Sequence, residues 1–442
     1  MAIRPVKGTR DFYPDLMRLR NWITDAWRRV SLRNGFEEYD APIFEHLELF
    51  TIKSGEEIAE QLFRFTDRGG RELAIRPEIT PSLARMVNAK INALPRPIKW
   101  FSMPRLCRAE NPQKGRLREF FQWNVDVIGA AGVLADAECI FVAVDLLAEL
   151  GLAPTDAQVR IGHRQLTVEA LKSFGVAADR VDGILPVLDK RPKVSDEAFA
   201  ELCAKAGLDG SQVEKIRRFQ DVASLEELAA LLGEAPEVAE PLAGLRRLME
   251  LLEAMGAADY CRLDMKIVRG LAYYTGVVYE VFDAGESLRA VAGGGRYDNL
   301  LSVLGGPDVP ATGFGMGDVV LALLLEEKGK IPEQVRSAPL EFFVIPASAA
   351  QADAAVALAG RLRRAGRSAD FSYKSQSIGK QFKEAARRGA AFAVVLEADQ
   401  ADPSVKDMQT GEQVRIDEIG SASLRSTGLS KACRWVSTVS SS

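Results

Sequence analysis

Apolar and polar positions in the first third of the chain predict one helix followed by short antiparallel strands. Apolar residues recur at helical spacing from about Asp15 to Arg33, and Gly35 then supplies a stop. Between Phe63 and Arg76, two short apolar runs lie on either side of a glycine-bearing turn, which is typical of a hairpin. A second hairpin is predicted from strands near Ile98 to Glu110 and Phe120 to Gly129, joined by a longer basic loop.

The pattern in the middle of the chain predicts a helical module inserted into the first domain. Over about 166–255, apolar and charged residues alternate at helical spacing and are interrupted by several Gly or Pro stops. Strand-like sequence returns between Met265 and Phe282 and again in a glycine-rich segment at 313–317. The first domain therefore resumes after its insertion, and we expect it to cover residues 1–330.

A second domain is predicted at the C-terminal end. A polar, proline-containing stretch between Glu327 and Pro339 has the composition of a linker. Beyond it, strand-like and helix-like segments alternate, which implies a small sheet covered by helices, with parallel pairing across the first two crossovers. This domain is expected over residues 338–436. The fold class is therefore α/β (α+β), with an antiparallel sheet flanked by helices, a helical insertion and a C-terminal α/β domain.

Composition describes a globular protein without an extended nucleic-acid surface. The 442 residues are 47% hydrophobic and 27% charged, close to the average for soluble domains. The net charge of −4 argues against a histone-like protein, so no DNA partner is expected and any RNA site must be local. Between Arg361 and Arg388, nine Lys or Arg residues stand against two acids, which favours an RNA contact there. A solvated helix face is the alternative for that segment.

Cysteines, histidines and apolar stretches exclude further classes of protein. The five cysteines lie far apart without a CxxC pair, which fits a reducing cytoplasm better than a disulfide scaffold or a zinc cluster. Both histidines, His46 and His163, are expected to be structural, and no metal-binding residue is assigned. Acids interrupt the apolar segment from Gly132 to Leu152, and the N-terminus has no unbroken apolar run. Neither a membrane span nor a signal peptide is therefore predicted.

The second hairpin carries the first candidate chemistry. Because side chains alternate across a strand, Arg108 and Glu110 share one sheet face, as do Gln122, Asn124 and Asp126. A cation beside two carboxylates suits an anionic ligand that also carries amine or hydroxyl donors. A solvated, salt-bridged sheet face is the alternative interpretation, and the clustering alone does not decide between the two.

Tyrosines and glycines later in the first domain mark a second candidate segment. Tyr273 and Tyr274 follow Arg269 and must face opposite sides of a strand, so one phenol can enter a pocket while the other packs elsewhere. An aromatic core strand is the alternative. The glycine runs at 293–295 and 313–317 remove side chains, either for close approach of a backbone or flat ligand or for a bulge or tight turn. Neither run matches a P-loop or a GxGxxG fingerprint.

Seven segments carry a resemblance to a known family. They are KGTRDFYPD, DAPIFE, IRPEITPSLAR, CRAENPQKGRLREFFQWNVDVIG, VRGLAYYTGVVYE, GGGRYDNL and GFGMG. Together they resemble the histidyl-tRNA synthetases, which are class II aminoacyl-tRNA synthetases, and the resemblance covers nearly the whole chain. It implies the class II synthetase antiparallel sheet, a C-terminal anticodon-binding domain, and a homodimer with Pro42 at its interface.

The resemblance implies a histidine site. Glu78 and Thr80 would meet the ammonium group, with Gln122 helping to fix the substrate. Asp126 and one of the two adjacent tyrosines would contact the imidazole, since a carboxylate and a phenol together satisfy two ring nitrogens. The full set implied for histidine is Glu78, Thr80, Arg108, Gln122, Asp126, Arg269, Tyr273 and Tyr274.

The resemblance also implies an ATP site, with Mg2+ on the outgoing pyrophosphate. Arg108 and Arg269 would hold the α-phosphate from two sides and are the expected catalytic residues, whereas Glu110 would hold the adenine end. Histidine would be joined to AMP and then transferred to tRNA(His). The expected cofactors are therefore ATP and Mg2+, and the expected partners are histidine, ATP, tRNA(His) and a second copy of the chain. The full set implied for ATP is Arg108, Glu110, Arg118 and Arg296.

Two positions depart from the family's pattern. After GFGMG the third class II motif has an acid and then an arginine that grips the γ-phosphate, whereas this chain continues with Asp318–Val320. Valine cannot neutralise phosphate, so either another cation, namely Arg116, Arg118 or Arg296, takes over or ATP binding is impaired. Ala272, where the family often has aspartate, is a milder departure because the neighbouring arginine and tyrosines remain.

The missing arginine leaves an alternative function open. A non-ligating regulatory subunit of histidine biosynthesis, similar to the synthetases, would bind histidine without joining it to tRNA. The complete histidine and second-motif residues favour the ligase, and a regulator has little need of an anticodon-binding domain. We therefore expect a cytoplasmic, ATP-dependent ligase that joins histidine to its tRNA.

Overall fold

The computed structural model describes residues 3–52, 62–233, 235–268, 273–336, 340–397, 403–415 and 428–440. Its contacts divide the chain into two compact units, one of Met1–Phe12 with Arg20–Lys330 and one of Tyr13–Leu19 with Ile331–Ser442. Arg269 and Ala272, which the sequence singled out, lie outside the described residues. All the other candidate site residues belong to the first, larger unit.

The described residues form helices and strands in both units. In chain order the helices are α1 (Pro14–Arg33), α2 (Leu47–Thr51), α3 (Thr80–Lys90), α4 (Leu134–Glu149), α5 (Arg164–Ser173), α6 (Val181–Leu188), α7 (Asp196–Lys205), α8 (Gly210–Gln220), α9 (Leu225–Leu232), α10 (Pro236–Ala254), α11 (Leu300–Val303), α12 (Asp318–Glu327), α13 (Glu333–Arg336), α14 (Ala352–Arg364), α15 (Ile378–Arg387) and α16 (Gly428–Ser440). The strands are β1 (Glu37–Glu38), β2 (Phe44–His46), β3 (Phe63–Thr66), β4 (Glu72–Ile75), β5 (Ile98–Ser102), β6 (Arg105–Cys107), β7 (Glu119–Ile128), β8 (Ala157–His163), β9 (Cys261–Leu263), β10 (Val277–Asp283), β11 (Ala292–Arg296), β12 (Ala311–Gly317), β13 (Phe342–Pro346), β14 (Ala369–Phe371), β15 (Phe392–Leu396), β16 (Ser404–Asp407) and β17 (Gln413–Arg415). In these parts of the chain no helix combines the length and apolar character needed to cross a bilayer.

The larger unit is built on one extended sheet. Within the described residues its strand order is β1-β5-β7-β12-β11-β10-β8-β9, and β6 pairs with the first part of β7. The central pairs are antiparallel, and parallel pairs occur at the two edges, β1 with β5 and β8 with β9. Helix α4 packs on β7 and β12, and α12 packs on β7. The predicted antiparallel sheet flanked by helices is confirmed.

Strand β7 separates the core from the site. Trp123 lies on its core side, where its ring stacks on Trp27 of α1 at 6.2 Å and its indole Nε1 donates to Ser31 Oγ at 2.9 Å. The ring of Phe314 on β12 packs edge-on against the same tryptophan. Because side chains alternate along a strand, the even-numbered residues of β7 point to the opposite face, which carries Asp126.

Several predicted elements of the larger unit have the expected positions. Helix α1 ends at Arg33, and Gly35 follows with φ +77°, a conformation that suits glycine. The hairpin predicted from Phe63 to Arg76 is formed by β3 and β4. The strand predicted from Ile98 to Glu110 is instead divided into β5 and β6 at Pro104, since proline has no N–H to donate to the ladder. Helices α5 to α10 occupy the stretch between β8 and β9, where the sequence placed the insertion.

The second unit contains a separate sheet in the order β14-β13-β15-β16-β17. Strand β13 pairs in parallel with both β14 and β15, which confirms the two predicted parallel crossovers. Phe342 and Val344 face a core shared with α14 and α16, whereas Phe343 and Ile345 face one shared with α15. The alternation of these apolar residues therefore places helices on both faces of the sheet.

Candidate active site

The floor of the candidate site is the face of β7 that carries Gln122, Asn124 and Asp126. Strand β12 pairs with it so that Gly313 lies opposite Asp126 and Gly315 lies opposite Asn124. A Cβ atom at Gly313 would overlap the Asp126 carboxylate, and one at Gly315 would lie 2.7 Å from Gln122 Cδ. These two glycines therefore leave the space in which the acid and amide side chains lie across β12.

Asp126 is a buried carboxylate that is held at one oxygen. The Tyr297 hydroxyl donates to Asp126 Oδ1 at 2.5 Å. Asp126 Oδ2 is buried and has no hydrogen-bond partner among the described residues. Burial raises the pKa of Asp126 to about 7, although the Tyr297 hydrogen bond opposes the increase. A ligand N–H that reached Oδ2 would satisfy this oxygen and favour the ionised carboxylate.

Tyrosine side chains connect a second carboxylate to Asp126. The Tyr273 hydroxyl donates to Glu78 Oε2 at 3.3 Å. The Tyr273 ring packs edge-on against Tyr297, with centroids 5.9 Å apart, and lies 4.9 Å from the ring of Tyr274. Glu78 and Asp126, which the sequence assigned to the two ends of histidine, therefore belong to one cluster of side chains.

Arg108 lies beside the segment that carries Glu78. Its Nε donates to the carbonyl oxygen of Pro77 at 3.1 Å, and its guanidinium lies 5.1 Å from the centre of the Phe120 ring. Thr80, the other residue expected to meet the ammonium group, begins α3 directly after this segment. The structure thus brings the expected phosphate-binding arginine next to the expected ammonium-binding residues.

The tip of the second hairpin is dense in charge. Glu110 forms an ion pair with Arg116, and the carbonyl oxygen of Glu110 accepts from Arg118 Nε at 3.1 Å. Glu110 Oε2 is buried without a hydrogen-bond partner among the described residues. Burial, followed by the charges of Arg289 and Arg108, lowers the pKa of Arg116. Like charges accumulate here, which favours binding of an anion.

Arg296, which the sequence placed in the ATP site, is held in buried ion pairs instead. Its Nε and Nη2 donate to Asp136 Oδ2 at 3.0 and 2.7 Å, and Nη1 donates to Asp298 Oδ1 at 3.2 Å. Nη2 also donates to the carbonyl oxygen of Gly132 at 2.7 Å. All three guanidinium nitrogens are engaged, and Asp136 belongs to α4. Arg296 therefore fastens α4 to the end of β11 in this structure, and its binding of ATP stays a prediction.

The acid of the third motif also has a structural role. Asp318 Oδ2 accepts from Arg10 Nη2 at 2.7 Å, and Asp318 Oδ1 accepts from the backbone N–H of Phe121 at 2.9 Å. The carbonyl oxygen of Gly8 accepts from the backbone N–H of Arg118 at 2.8 Å. Asp318 thus fixes the N-terminal segment against the strand that forms the floor of the site.

Two tyrosines of this cluster, Tyr297 and Tyr39, were not predicted from the sequence. Tyr297 directly follows the glycine run of β11, and that position could have drawn attention to it. Tyr39 is buried, its hydroxyl has no hydrogen-bond partner among the described residues, and the Asp126 charge contributes to raising its pKa after burial itself. No local signal marked Tyr39, because it reaches the site only through pairing of β1 with β5.

Comparisons with known proteins identify relatives of this chain. A family model described as histidyl-tRNA synthetase matches residues 8–318, and one described as anticodon binding domain matches residues 341–421. A histidine–tRNA ligase of Opitutus terrae is 44% identical over 408 residues, which cover 91% of this chain and 93% of that protein. The chloroplastic/mitochondrial histidine–tRNA ligase of Arabidopsis thaliana is 39% identical over 417 residues, covering 94% and 85%.

A solved structure shares the fold. The crystal structure of histidyl-tRNA synthetase from Nostoc sp. PCC 7120 matches with a TM-score of 0.82 over 99% of each chain, at 23% identity. The first family model spans more than half of the chain, and the two ligases align with nearly all of it. The chain therefore belongs to the histidyl-tRNA synthetase family.

Proposed function

We propose that this protein activates histidine with ATP and transfers the histidyl group to tRNA(His). The observation that carries the proposal is the cluster in which Glu78 and Asp126 are connected through Tyr273 and Tyr297. One carboxylate suits an ammonium group. The other, Asp126, suits an imidazole N–H, because its buried Oδ2 has no hydrogen-bond partner among the described residues. Histidine carries both groups.

In this proposal the ammonium and imidazole groups of histidine each have partners. Glu78 and Thr80 receive the ammonium group, and Gln122 helps to fix the substrate. Asp126 accepts from one imidazole nitrogen, and a phenol of the 273–274 pair meets the other. Sites that hydrogen-bond a substrate in this way reject analogues lacking the polar atoms by about 10⁴-fold or more, because their own buried groups are left unpaired.

The chemistry requires positioning and charge, without a covalent enzyme intermediate. A histidine carboxylate oxygen attacks the α-phosphorus of ATP, the bond to the bridging oxygen breaks, and pyrophosphate leaves. Arg108 and Arg269 stabilise the negative charge that grows on the phosphate oxygens in the transition state. The terminal ribose hydroxyl of tRNA(His) then attacks the carbonyl carbon of the adenylate, and AMP leaves.

The remaining ATP contacts come from the hairpin tip. Glu110 meets the adenine end and Arg118 the phosphates. The acceptor oxygen Glu110 Oε2, buried without a partner among the described residues, is available for such a contact. Members of this family use ATP, typically with Mg2+. Phosphate oxygens of ATP are ligands that Mg2+ prefers, and no residue of the chain is assigned to the ion. A bound ion would neutralise charge on the outgoing pyrophosphate.

The proposal assigns a role to each part of the chain. Residues 1–330, with the helical insertion at about 166–255, carry out catalysis, and residues 338–436 bind the anticodon of tRNA(His). The excess of Lys and Arg over acids between Arg361 and Arg388 supports the RNA contact. The active form is a homodimer with Pro42 at its interface, located in the cytoplasm.

The test is pyrophosphate exchange by the purified full-length chain. Labelled pyrophosphate should enter ATP only when histidine is present, and histidinol, which lacks the attacking carboxylate, should not support exchange. Histidine binding without exchange would favour the regulatory-subunit alternative, for which the valine at position 320 is the motivating observation. Direct binding of histidine by calorimetry separates that outcome from an inactive preparation.

A further inference from the structure

The third motif of this chain lacks a cation for the terminal phosphates of ATP. Helix α12 begins at Asp318, whose carboxylate is occupied by Arg10 and the backbone of Phe121. Val320 follows within the first turn and is 7% exposed. An aliphatic side chain offers no donor, so a cation must come from another segment if the triphosphate is bound at its far end.

We infer that Arg289, from the connection between β10 and β11, binds the terminal phosphates of ATP in place of the missing arginine. This inference rests on the proposed function, because it assigns a residue to the same ATP site. It adds a contact that neither the sequence motifs nor the family resemblance identified.

The side chain of Arg289 lies close to that of Val320. At Gly115, in the tip of the second hairpin, an added Cβ would lie 3.4 Å from Val320 Cγ2 and 3.8 Å from Arg289 Cδ. Both side chains therefore border one point of the hairpin tip. Arg289 Nη1 donates to Gln113 Oε1 at 3.3 Å, which places its charged end beside the same turn.

The backbone before Arg289 is fixed by a buried acid. Asp283, which is fully buried, accepts from the N–H and hydroxyl of Ser287 through Oδ2 and from the N–H of Leu288 through Oδ1. Two residues beyond Arg289, the carbonyl oxygen of Val291 accepts from the N–H of Gly317 at 3.2 Å. This connection is therefore held to the end of β12, directly before helix α12, and Arg289 projects from a defined position.

The charge around Arg289 suits a polyanion. Arg289 and Arg108 both act on Arg116, whose pKa is lowered by burial and then by these two charges. Glu110 is the acid paired with Arg116. Three guanidinium groups around one such carboxylate leave an excess of positive charge that a triphosphate would neutralise.

The other cations considered from the sequence are less suitable. Arg296 uses all three guanidinium nitrogens in buried contacts. Arg118 is engaged through Nε with the carbonyl oxygen of Glu110. Arg116 is already paired with Glu110, so a second cation near it is needed for the charge at the end of the triphosphate. Arg289 is exposed, and the group it donates to is the neutral amide of Gln113, which a phosphate oxygen can replace.

The experiment compares ATP with AMP as ligands of the full-length protein. In pyrophosphate exchange, Arg289→Gln should raise the KM for ATP roughly tenfold, the size expected for losing one charge-assisted hydrogen bond, while the KM for histidine is unchanged. In direct binding measurements, affinity for ATP should fall by a similar factor and affinity for AMP should stay the same. Arg289→Lys should recover part of the ATP affinity because it keeps the charge.

Gln113→Ala is the matched control. It removes the hydrogen bond to Arg289 and leaves the guanidinium in place, so it should change the KM for ATP little. The inference is overturned if Arg289→Gln leaves ATP affinity unchanged, if it weakens ATP and AMP equally, or if Gln113→Ala reproduces its effect. Absence of histidine-dependent exchange in the unmodified protein would instead refute the proposed function, and the ATP-to-AMP comparison by direct binding would still test Arg289.

Discussion

At the proposed amino-acid end of the candidate active site the charged groups are buried and held by tyrosines, whereas at the proposed phosphate end they are arginines closer to solvent. Asp126 is 2% exposed, and Tyr297, which donates to it, is 3% exposed. Arg289 is exposed and Arg116 is half-buried. The first end requires empty space on a neighbouring strand, which Gly313 provides, and the second end requires only positive charge within reach.

This difference explains which sequence changes the site can accept. A buried carboxylate needs a fixed position, because a neighbouring atom that intrudes displaces it or the backbone beneath it. The attraction of a positive charge acts over a longer range than packing contacts, and Lys and Arg carry that charge at the end of long side chains. Different segments can therefore supply it. Under the proposals above, the loss of an arginine at position 320 is compensated from another loop, whereas the loss of a glycine from β12 is not.

The largest effect is expected from Gly313→Ala. The new Cβ would overlap the Asp126 carboxylate and crowd the carbonyl oxygen of Val125, so either the acid or the strand must shift. A displacement of about 1 Å at a reacting or binding group costs on the order of 100-fold, and we expect that loss in kcat/KM for histidine during pyrophosphate exchange. Gly317→Ala on the same strand is the control, because its Cβ would meet nothing within 4 Å. Equal activity of the two variants would contradict the proposed role of β12.

The buried end of the site, unlike the arginine end, should make kcat/KM for histidine depend on pH by about tenfold. Above a pKa of about 7 Asp126 is ionised and can accept from the imidazole, so kcat/KM for histidine should rise about tenfold from pH 6 to pH 8. The hydrogen bond from Tyr297 holds that pKa down, so Tyr297→Phe should move the midpoint to higher pH. Free histidine also titrates near this range, and a midpoint that is unchanged in Tyr297→Phe would assign the profile to the substrate. Tyr260→Phe, whose hydroxyl donates to the Leu152 carbonyl, is the control.

A smaller effect is expected from Gly315→Ala. Here the atoms that a Cβ would meet belong to the Gln122 side chain, which can rotate away. Forcing it from its conformer costs about 1 kcal/mol, or roughly fivefold in the KM for histidine. Thermal unfolding should show little change. A loss as large as that of Gly313→Ala would mean that the backbone of β12, rather than the amide, was displaced.

The smallest expected effect is the coupling between the two ends. If each end binds its own part of the reactants, the losses in kcat/KM from Tyr297→Phe and Arg289→Gln should add within about 0.5 kcal/mol in the double variant. A coupling energy well above this value would show that the buried carboxylate and the exposed arginine act as one unit. The comparison between the ends would then lose its basis.

Local pattern predicted much of the fold. Helix α1, the hairpin of β3 and β4, and the parallel pairs of β13 follow from residue period and turn chemistry, which act over a few neighbouring residues. The division between β5 and β6 at Pro104 was missed, although the absence of an N–H there was visible in the sequence.

For the site, the sequence by itself determined which polar residues share the even-numbered face of β7, because alternation along a strand is a local property. Only the tertiary structure decided what each charged group contacts. It brought Tyr39 and Tyr297 to Asp126, committed Arg296 to Asp136, and placed Arg289 beside Val320. These residues are far apart along the chain, and strand order and register, which depend on the packing of the whole sheet, bring them together.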